Sequence, residues 1–600
     1  MKFQKPDVEQ FFKTFGIQNF TLSPDEKQLV FSTNLSGRYN LWAMDLPNQF
    51  PYPLTFIDQS CQELTYDKNG QFLIAGFDKD GDENTQLYAI QPQGGELRPV
   101  RIQEGHRHMI AILSKDGKKL YYTSTKDNAM CLNSYCFDLE TEEESIINEG
   151  IDAATYLTAL SPGESSQIYL KSFANTYSLA FLHKDGKEYR LTPETDKQHT
   201  VSDALFTSET TIYLLTDFDA DFSYLAKYDV HSNQFSKVVS LEMEDFKSIK
   251  YNEQSQIIYI VSEKGVEDFL YAFDIQSGDL TKLETPTSVI EKLVVTESNN
   301  LYILGRSATS PFNIYKRLAN DNTWSACTNY GVPGVNEEEL VNPDVITYPS
   351  FDGLEIQALF FKANEDVSNG HVILWPHGGP QSAERKSFRA MFQFLVNRGY
   401  SIFAPNFRGS TGYGLEFTKM VEGDWGHGPR LDNIEGLEWL IKNGYADRDK
   451  ILLLGGSYGG YMALLLHGKH SEYFKAVIDI FGPSDLFSFI NSVPEHWKPA
   501  MNQWVGDPVK DREKLVEYSP ITHLEGMVKP MLVIQGANDP RVVKAESDKI
   551  VQALQNKDRE VEYLVLEDEG HGFSKKENEI KVNHKILEFF DRFIYKNEDV

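Results

Sequence analysis

Cysteine is scarce. Only Cys61, Cys131, Cys136 and Cys327 occur in 600 residues, too few and too scattered for a disulfide framework, and free thiols fit a reducing cytoplasm. Positive charge is also short. Fifty-eight Lys and Arg stand against 88 Asp and Glu, a net charge of -30. Nucleic-acid binding needs basic stripes and anionic membranes attract basic segments, so neither partner is expected. No apolar run is long enough to span a bilayer. Met1 to Asp7 lacks the apolar core of a secretory signal, so none is expected. No metal loop completes itself. The stretch from Asp78 to Glu83 resembles a calcium loop, but Glu83 stands at the sixth position where an EF-hand needs glycine. A hairpin tip is the better account, and no metal or cofactor is expected.

Helical periodicity is absent from the first half, and a β theme recurs instead. A turn such as Leu22-Ser23-Pro24-Asp25 precedes an alternating apolar strand, a polar turn and a second strand ending near Asp-Leu. Further copies start at Leu64-Thr65-Tyr66-Asp67, Leu113-Ser114-Lys115-Asp116 and Leu160-Ser161-Pro162-Gly163. Weaker ones follow around Tyr213, Tyr259 and Tyr302, making seven units of a length that suits propeller blades. The expected organisation is an N-terminal extension over 1–19, a seven-bladed β-propeller over 20–330, a linker over 331–344 and a second domain over 345–600. The propeller's exposed blade edges permit self-association into a homo-oligomer.

In the second domain, buried apolar strands alternate with helices, the pattern of a mostly parallel, doubly wound sheet covered on both faces. Its centre is Ile451 to Leu454 running into Gly455-Gly456-Ser457-Tyr458-Gly459, followed by a helix-like segment. Gly-x-Ser-x-Gly between a strand and a helix is the nucleophile elbow of an α/β-hydrolase domain. The tight turn excludes side chains on either side and lifts Ser457 to a helix N-terminus, where backbone N–H groups favour an oxyanion. Serine needs a base, and the base an orienting carboxylate. The fold's order is Ser, then Asp or Glu, then His, each on a loop after a strand. Asp539 follows the strand Met531 to Ile534, and His571 follows the strand from Val561 between two glycines. Of the 14 histidines, only His571 has both the order and the loop. The oxyanion hole is expected from the N–H of Tyr458 and one from Gly379 or Gly378, in the loop after Val372 to Trp375. His377 is expected to orient that loop. Phe481, Phe487, Phe489, Trp497 and Trp504 are candidates for an apolar substrate pocket, and Arg408 for orienting the site loops; ordinary core and a plain ion pair are the competing readings.

These motifs resemble the prolyl oligopeptidase family of serine peptidases, in its acylaminoacyl-peptidase and aminopeptidase-like branch. The resemblance rests on His377-Gly378-Gly379-Pro380, Asn406-Phe407-Arg408-Gly409-Ser410-Thr411-Gly412-Tyr413-Gly414, the elbow from Gly455 to Tyr461, Asn538-Asp539-Pro540-Arg541-Val542, and Glu569-Gly570-His571-Gly572-Phe573. It implies a propeller capping the hydrolase domain, a site at their interface, short peptide substrates, and an N-terminal stretch packed back onto the hydrolase domain. A close relative with dipeptidyl exopeptidase activity carries eight blades and a paired-glutamate amine anchor, whereas seven units are counted here and no such pair is assignable. The expected activity is therefore hydrolysis of short peptides through an acyl-enzyme on Ser457. A carboxylesterase acting on small esters is the alternative.

Overall fold

The computed structural model describes residues 6–57 and 59–595. Seven four-stranded antiparallel sheets occupy the first half, each a simple meander. The first runs from Ile17–Leu22 to Pro51–Pro53 and the last from Val289–Val295 to Ser325–Ala326. They are the blades of a propeller. Its ring closes through side chains rather than a shared strand. Ile17 and Phe20 of the first sheet share one core cluster with Tyr302 and Leu304 of the last, and Lys292 Nζ donates to Asn19 Oδ1 at 2.7 Å.

The recurring turn lies inside each blade, not at its start. Ser23 Oγ donates to Asp25 Oδ1 at 2.7 Å, and the turn joins the strands Ile17–Leu22 and Gln28–Thr33. A unit counted from this turn therefore starts one strand late, and the first strand begins at Ile17, ahead of residue 20. The outermost strands, such as Arg98–Arg101 and Lys187–Arg190, bury little.

The second half is built on an eight-stranded sheet. Its order runs Asp344–Pro349, Glu355–Phe361, Ser401–Asn406, Val372–Leu374, Ile451–Gly456, Val477–Ile480, Met531–Gly536, Val561–Leu566. The Glu355–Phe361 strand pairs antiparallel with both its neighbours; from Ser401–Asn406 onward every pair is parallel. Apolar side chains on both faces explain the continuous Leu, Ile and Val runs: Leu453 faces one core cluster, while Leu452 and Leu454 face the other.

Residues 1–5 of the expected N-terminal extension lie outside the described residues. The remainder holds a helix, Val8–Phe12, opened by a capping box between Asp7 and Gln10, and from Ile17 it enters the first blade. Phe11 and Phe12 pack on Phe394 with ring centroids 5.8 and 6.1 Å apart. Lys576, at the start of the C-terminal helix Lys576–Ile594, donates to the carbonyls of Phe12 and Thr14.

Candidate active site

Ser457 sits at φ 57°, ψ −123°, between the strand Ile451–Gly456 and the helix Tyr458–Lys469. Side chains at the motif glycines have no room. A Cβ on Gly455 would lie 2.0 Å from the carbonyl oxygen of Gly459, and one on Gly459 would lie 2.1 Å from that of Pro376. The elbow thus needs glycine at both positions, and the chain there runs against the neighbouring loop.

The two partner loops converge on this turn. His571 Nε2 lies 2.9 Å from Ser457 Oγ, and His571 Nδ1 lies 2.6 Å from Asp539 Oδ2. Asp539 is fixed in turn. Its Oδ1 accepts from the backbone N–H groups of Arg541 and Val542, both at 2.9 Å. The carboxylate is fully buried and the imidazole 8% exposed. A carboxylate only accepts, so Nδ1 carries the proton and Nε2 presents a lone pair to the serine hydroxyl.

The loop after Val372–Leu374 closes over the serine. A Cβ on Gly378 would stand 3.3 Å from Ser457 Cβ, and Gly379, at φ 131°, lines the same cavity as Ser457. Tyr458 is the first residue of the elbow helix, so its N–H has no intrahelical acceptor. His377 locks the loop from behind. Its ring stacks on Phe407 at 4.2 Å, Nδ1–H donates to the Gly378 carbonyl at 2.8 Å, and Nε2 lies 2.8 Å from Ser410 Oγ. Burial pushes its pKa down to about 4. His377 is thus a neutral brace held by Gly378, Phe407 and Ser410.

A cavity of about 100 Å³ opens beside Ser457, walled by Trp425, Phe489, Trp497, Trp504 and Val542. Three of the five candidate pocket residues, Phe489, Trp497 and Trp504, are thus brought together here. The other two, and Arg408, lie elsewhere. Phe481, at φ 44°, packs its ring 4.5 Å from that of His571 and faces a different cavity. Phe487 packs beneath the Arg512 guanidinium, 5.4 Å from its ring centroid. Arg408 is held by Asp432 at 2.8 Å and Asp352 at 2.9 Å, so its charge is already matched and it acts as a structural ion pair. Trp425 was missed by the sequence reading. It packs against Trp504 at 5.0 Å and against Tyr458 at 5.1 Å, but it carries no motif and only the packing reveals it.

The hairpin tip once compared with a calcium loop has a structural task. Glu83 accepts from Arg541 Nε at 2.7 Å and Asp80 from Lys575 Nζ at 2.9 Å. Between them Gly81 packs so closely on the histidine loop that a Cβ there would lie 2.7 Å from Gly570 N. The propeller therefore presses directly on the loop that carries His571. Among the described residues no group of acidic, His and Cys side chains is arranged to hold a metal.

Residues 386–597 match the prolyl oligopeptidase family. The chain is 26% identical to dipeptidyl aminopeptidase BIII of Pseudoxanthomonas mexicana, across 93% of this chain and 84% of that protein. It is 25% identical to dipeptidyl peptidase family member 6 of Caenorhabditis elegans, across 97% and 86%. In fold it superposes on a puromycin-hydrolyzing peptidase of Mycobacterium tuberculosis with a TM-score of 0.87, at 17% identity, covering 99% of this chain and 97% of that one. A seven-bladed propeller joined to an α/β-hydrolase domain, with a serine elbow at their interface, is thus the architecture of a hydrolase, and residues 386–597 carry a domain of the prolyl oligopeptidase family of serine peptidases.

Proposed function

We propose that this chain cleaves short peptides by acyl transfer through Ser457. The observation that carries the reading is the hydrogen-bonded line Ser457–His571–Asp539 at the foot of an aromatic cavity. In this mechanism Ser457 Oγ attacks the scissile carbonyl as its proton passes to His571 Nε2. Asp539 holds the imidazole in the required tautomer and stabilises its charge. The N–H groups of Tyr458 and of Gly379, with Gly378 beside it, receive the oxyanion; each such donor is worth about 3–4 kcal/mol of barrier. His571 then gives the proton to the leaving amine. Water, deprotonated by the same imidazole, releases the acid and regenerates the serine.

Trp425, Phe489, Trp497 and Trp504 suit an apolar side chain on the acyl side of the cut. The propeller over the site favours chains short enough to enter the cleft; a small ester needs no such filter, which disfavours the esterase alternative. Four free cysteines accord with action in the cytoplasm, and no helix among the described residues is long and apolar enough to cross a membrane. The two near-full-length relatives are dipeptidyl peptidases by name, which supports release of short N-terminal units alongside the acylaminoacyl-type reading. Turnover of aminoacyl-, dipeptidyl- and N-acetyl-aminoacyl-anilides against a p-nitrophenyl ester tests both points. Turnover of the ester alone would overturn the peptidase reading.

A further inference from the structure

A second, larger cavity of about 380 Å³ lies on the other side of the catalytic histidine. The two cavities belong to opposite faces of the sheet. Trp425, Tyr458, Phe489 and Val542 pack into one core cluster. Trp375, Ile480, Phe11 and Phe12, which line the larger cavity, pack into the other. The larger cavity reaches Gly456, the residue before the nucleophile, and its near wall is Phe481 and Phe573. Phe481 lies 4.5 Å from the His571 ring and 5.9 Å from the Phe573 ring. An acyl group seated against the tryptophans leaves its departing amine on the imidazole side, because Nε2 delivers the proton to that amine. The larger cavity lies beyond Phe481 on that side of the ring.

Its charge is unbalanced. Arg306, Arg389, Lys576 and Glu579 line it. Arg389 is paired with Glu384 at 2.7 Å, and Lys576 lies 3.9 Å from Glu579. Arg306 stacks its guanidinium 4.3 Å from the Phe312 ring centroid. Among the described residues no carboxylate stands within ion-pair distance of it, and its buried Nε has no hydrogen-bond partner. An unpaired guanidinium in an aromatic-walled cavity is a site for a carboxylate carried on an apolar group. Two more buried polar atoms on the wall, Thr14 Oγ1 and Asn583 Oδ1, also lack partners.

We propose that this cavity is the leaving-group subsite, and that Arg306 binds the free C-terminal carboxylate of the apolar residue or short segment released by cleavage. The proposal rests on the peptidase reading and narrows it to peptides that end just beyond the cut. The test is a matched peptide pair, identical except for a C-terminal carboxylate or carboxamide, compared by kcat/KM in the wild type, Arg306→Gln and Arg306→Lys. The p-nitroanilide of the same acyl part is measured in the wild type. A charge-assisted contact predicts that the wild type prefers the acid by about tenfold or more. It also predicts that Arg306→Gln brings the acid-to-amide ratio close to one and that Arg306→Lys retains part of the preference. Because the ratio is taken within one protein, partial loss of folded enzyme does not disturb it. A wild type indifferent to the C-terminal group, or an Arg306→Gln enzyme with the full preference, overturns the subsite. Turnover of the anilide but neither peptide also overturns it, while leaving the acyl chemistry standing. No turnover of anilide or peptide overturns the peptidase reading and the subsite together.

Discussion

Asp539→Asn tests the site through a single proton. In the native structure Asp539 Oδ1 accepts from the N–H groups of Arg541 and Val542, while Oδ2 faces His571 Nδ1 at 2.6 Å. An asparagine has one oxygen and one NH2. The two backbone donors require the oxygen, so the NH2 turns toward His571. Nδ1 must then accept, the ring proton moves to Nε2, and the serine hydroxyl loses its acceptor. The loop keeps its hydrogen bonds and the side chain its shape, so the fold is retained and the tautomer is wrong. Loss of the correct tautomer in such triads costs about 10⁴ in kcat, roughly 5.5 kcal/mol of barrier. The assay is kcat on an aminoacyl- or N-acetyl-aminoacyl-anilide, with the rate of fluorophosphonate labelling of Ser457 and the melting temperature alongside. Labelling should slow with kcat while Tm stays close to wild type. An Asp539→Asn enzyme within tenfold of wild type would mean that His571 does not depend on Asp539 for its tautomer, and the proposed mechanism would fail.

Other expectations follow from single contacts. Trp504→Ala removes one wall of the acyl-side cavity and should lower kcat/KM for a large apolar acyl residue by about tenfold or more, with less effect on alanine; equal losses for both would remove Trp504 from the pocket. Gly81→Ala adds a Cβ against Gly570 at φ 79° and costs about 1–2 kcal/mol in backbone strain. It should slow Ser457 labelling, whereas unchanged labelling would show that the propeller tip does not support His571. Asp479 is fully buried, and burial raises its pKa to about 8 while only Gly482 N–H donates to it. A raised folded pKa favours the protonated form, so its contribution is present in acid and is lost as pH rises from about 4 through about 8. Asp479→Asn should therefore gain stability relative to wild type across that window in denaturant titrations, and a pH-independent difference would refute the shift.

What the sequence made legible was whatever local sterics or chain order dictates. The elbow glycines announce a turn that admits no side chain, and Asp539 and His571 follow because each sits just past a strand in the required order. The blade count survived because each blade buries its middle strands. The outermost strands escaped notice because Lys187–Arg190 and its counterparts bury little. The aromatic pocket was half legible. Phe489, Trp497 and Trp504 meet at the cavity, but Trp425 joins them from a distant loop and Phe481 turns to the opposite face. Composition alone cannot say which side of a sheet an aromatic ring will choose. Residues 78–83 were legible as a tip, not as a tip that presses on the histidine loop, since that depends on how two separately built domains meet.

The docking of the Val8–Phe12 helix sets an order of events during synthesis. The carbonyl of Phe12 is held by Lys576, 564 residues further along. At about 5–20 residues per second a ribosome takes roughly half a minute to two minutes to make that stretch. The helix must therefore wait while every blade is made; Phe394 then offers an apolar seat for Phe11 and Phe12, and Lys576 completes it. Nascent chains that stop short of Lys576 should leave the carbonyls of Phe12 and Thr14 without that donor.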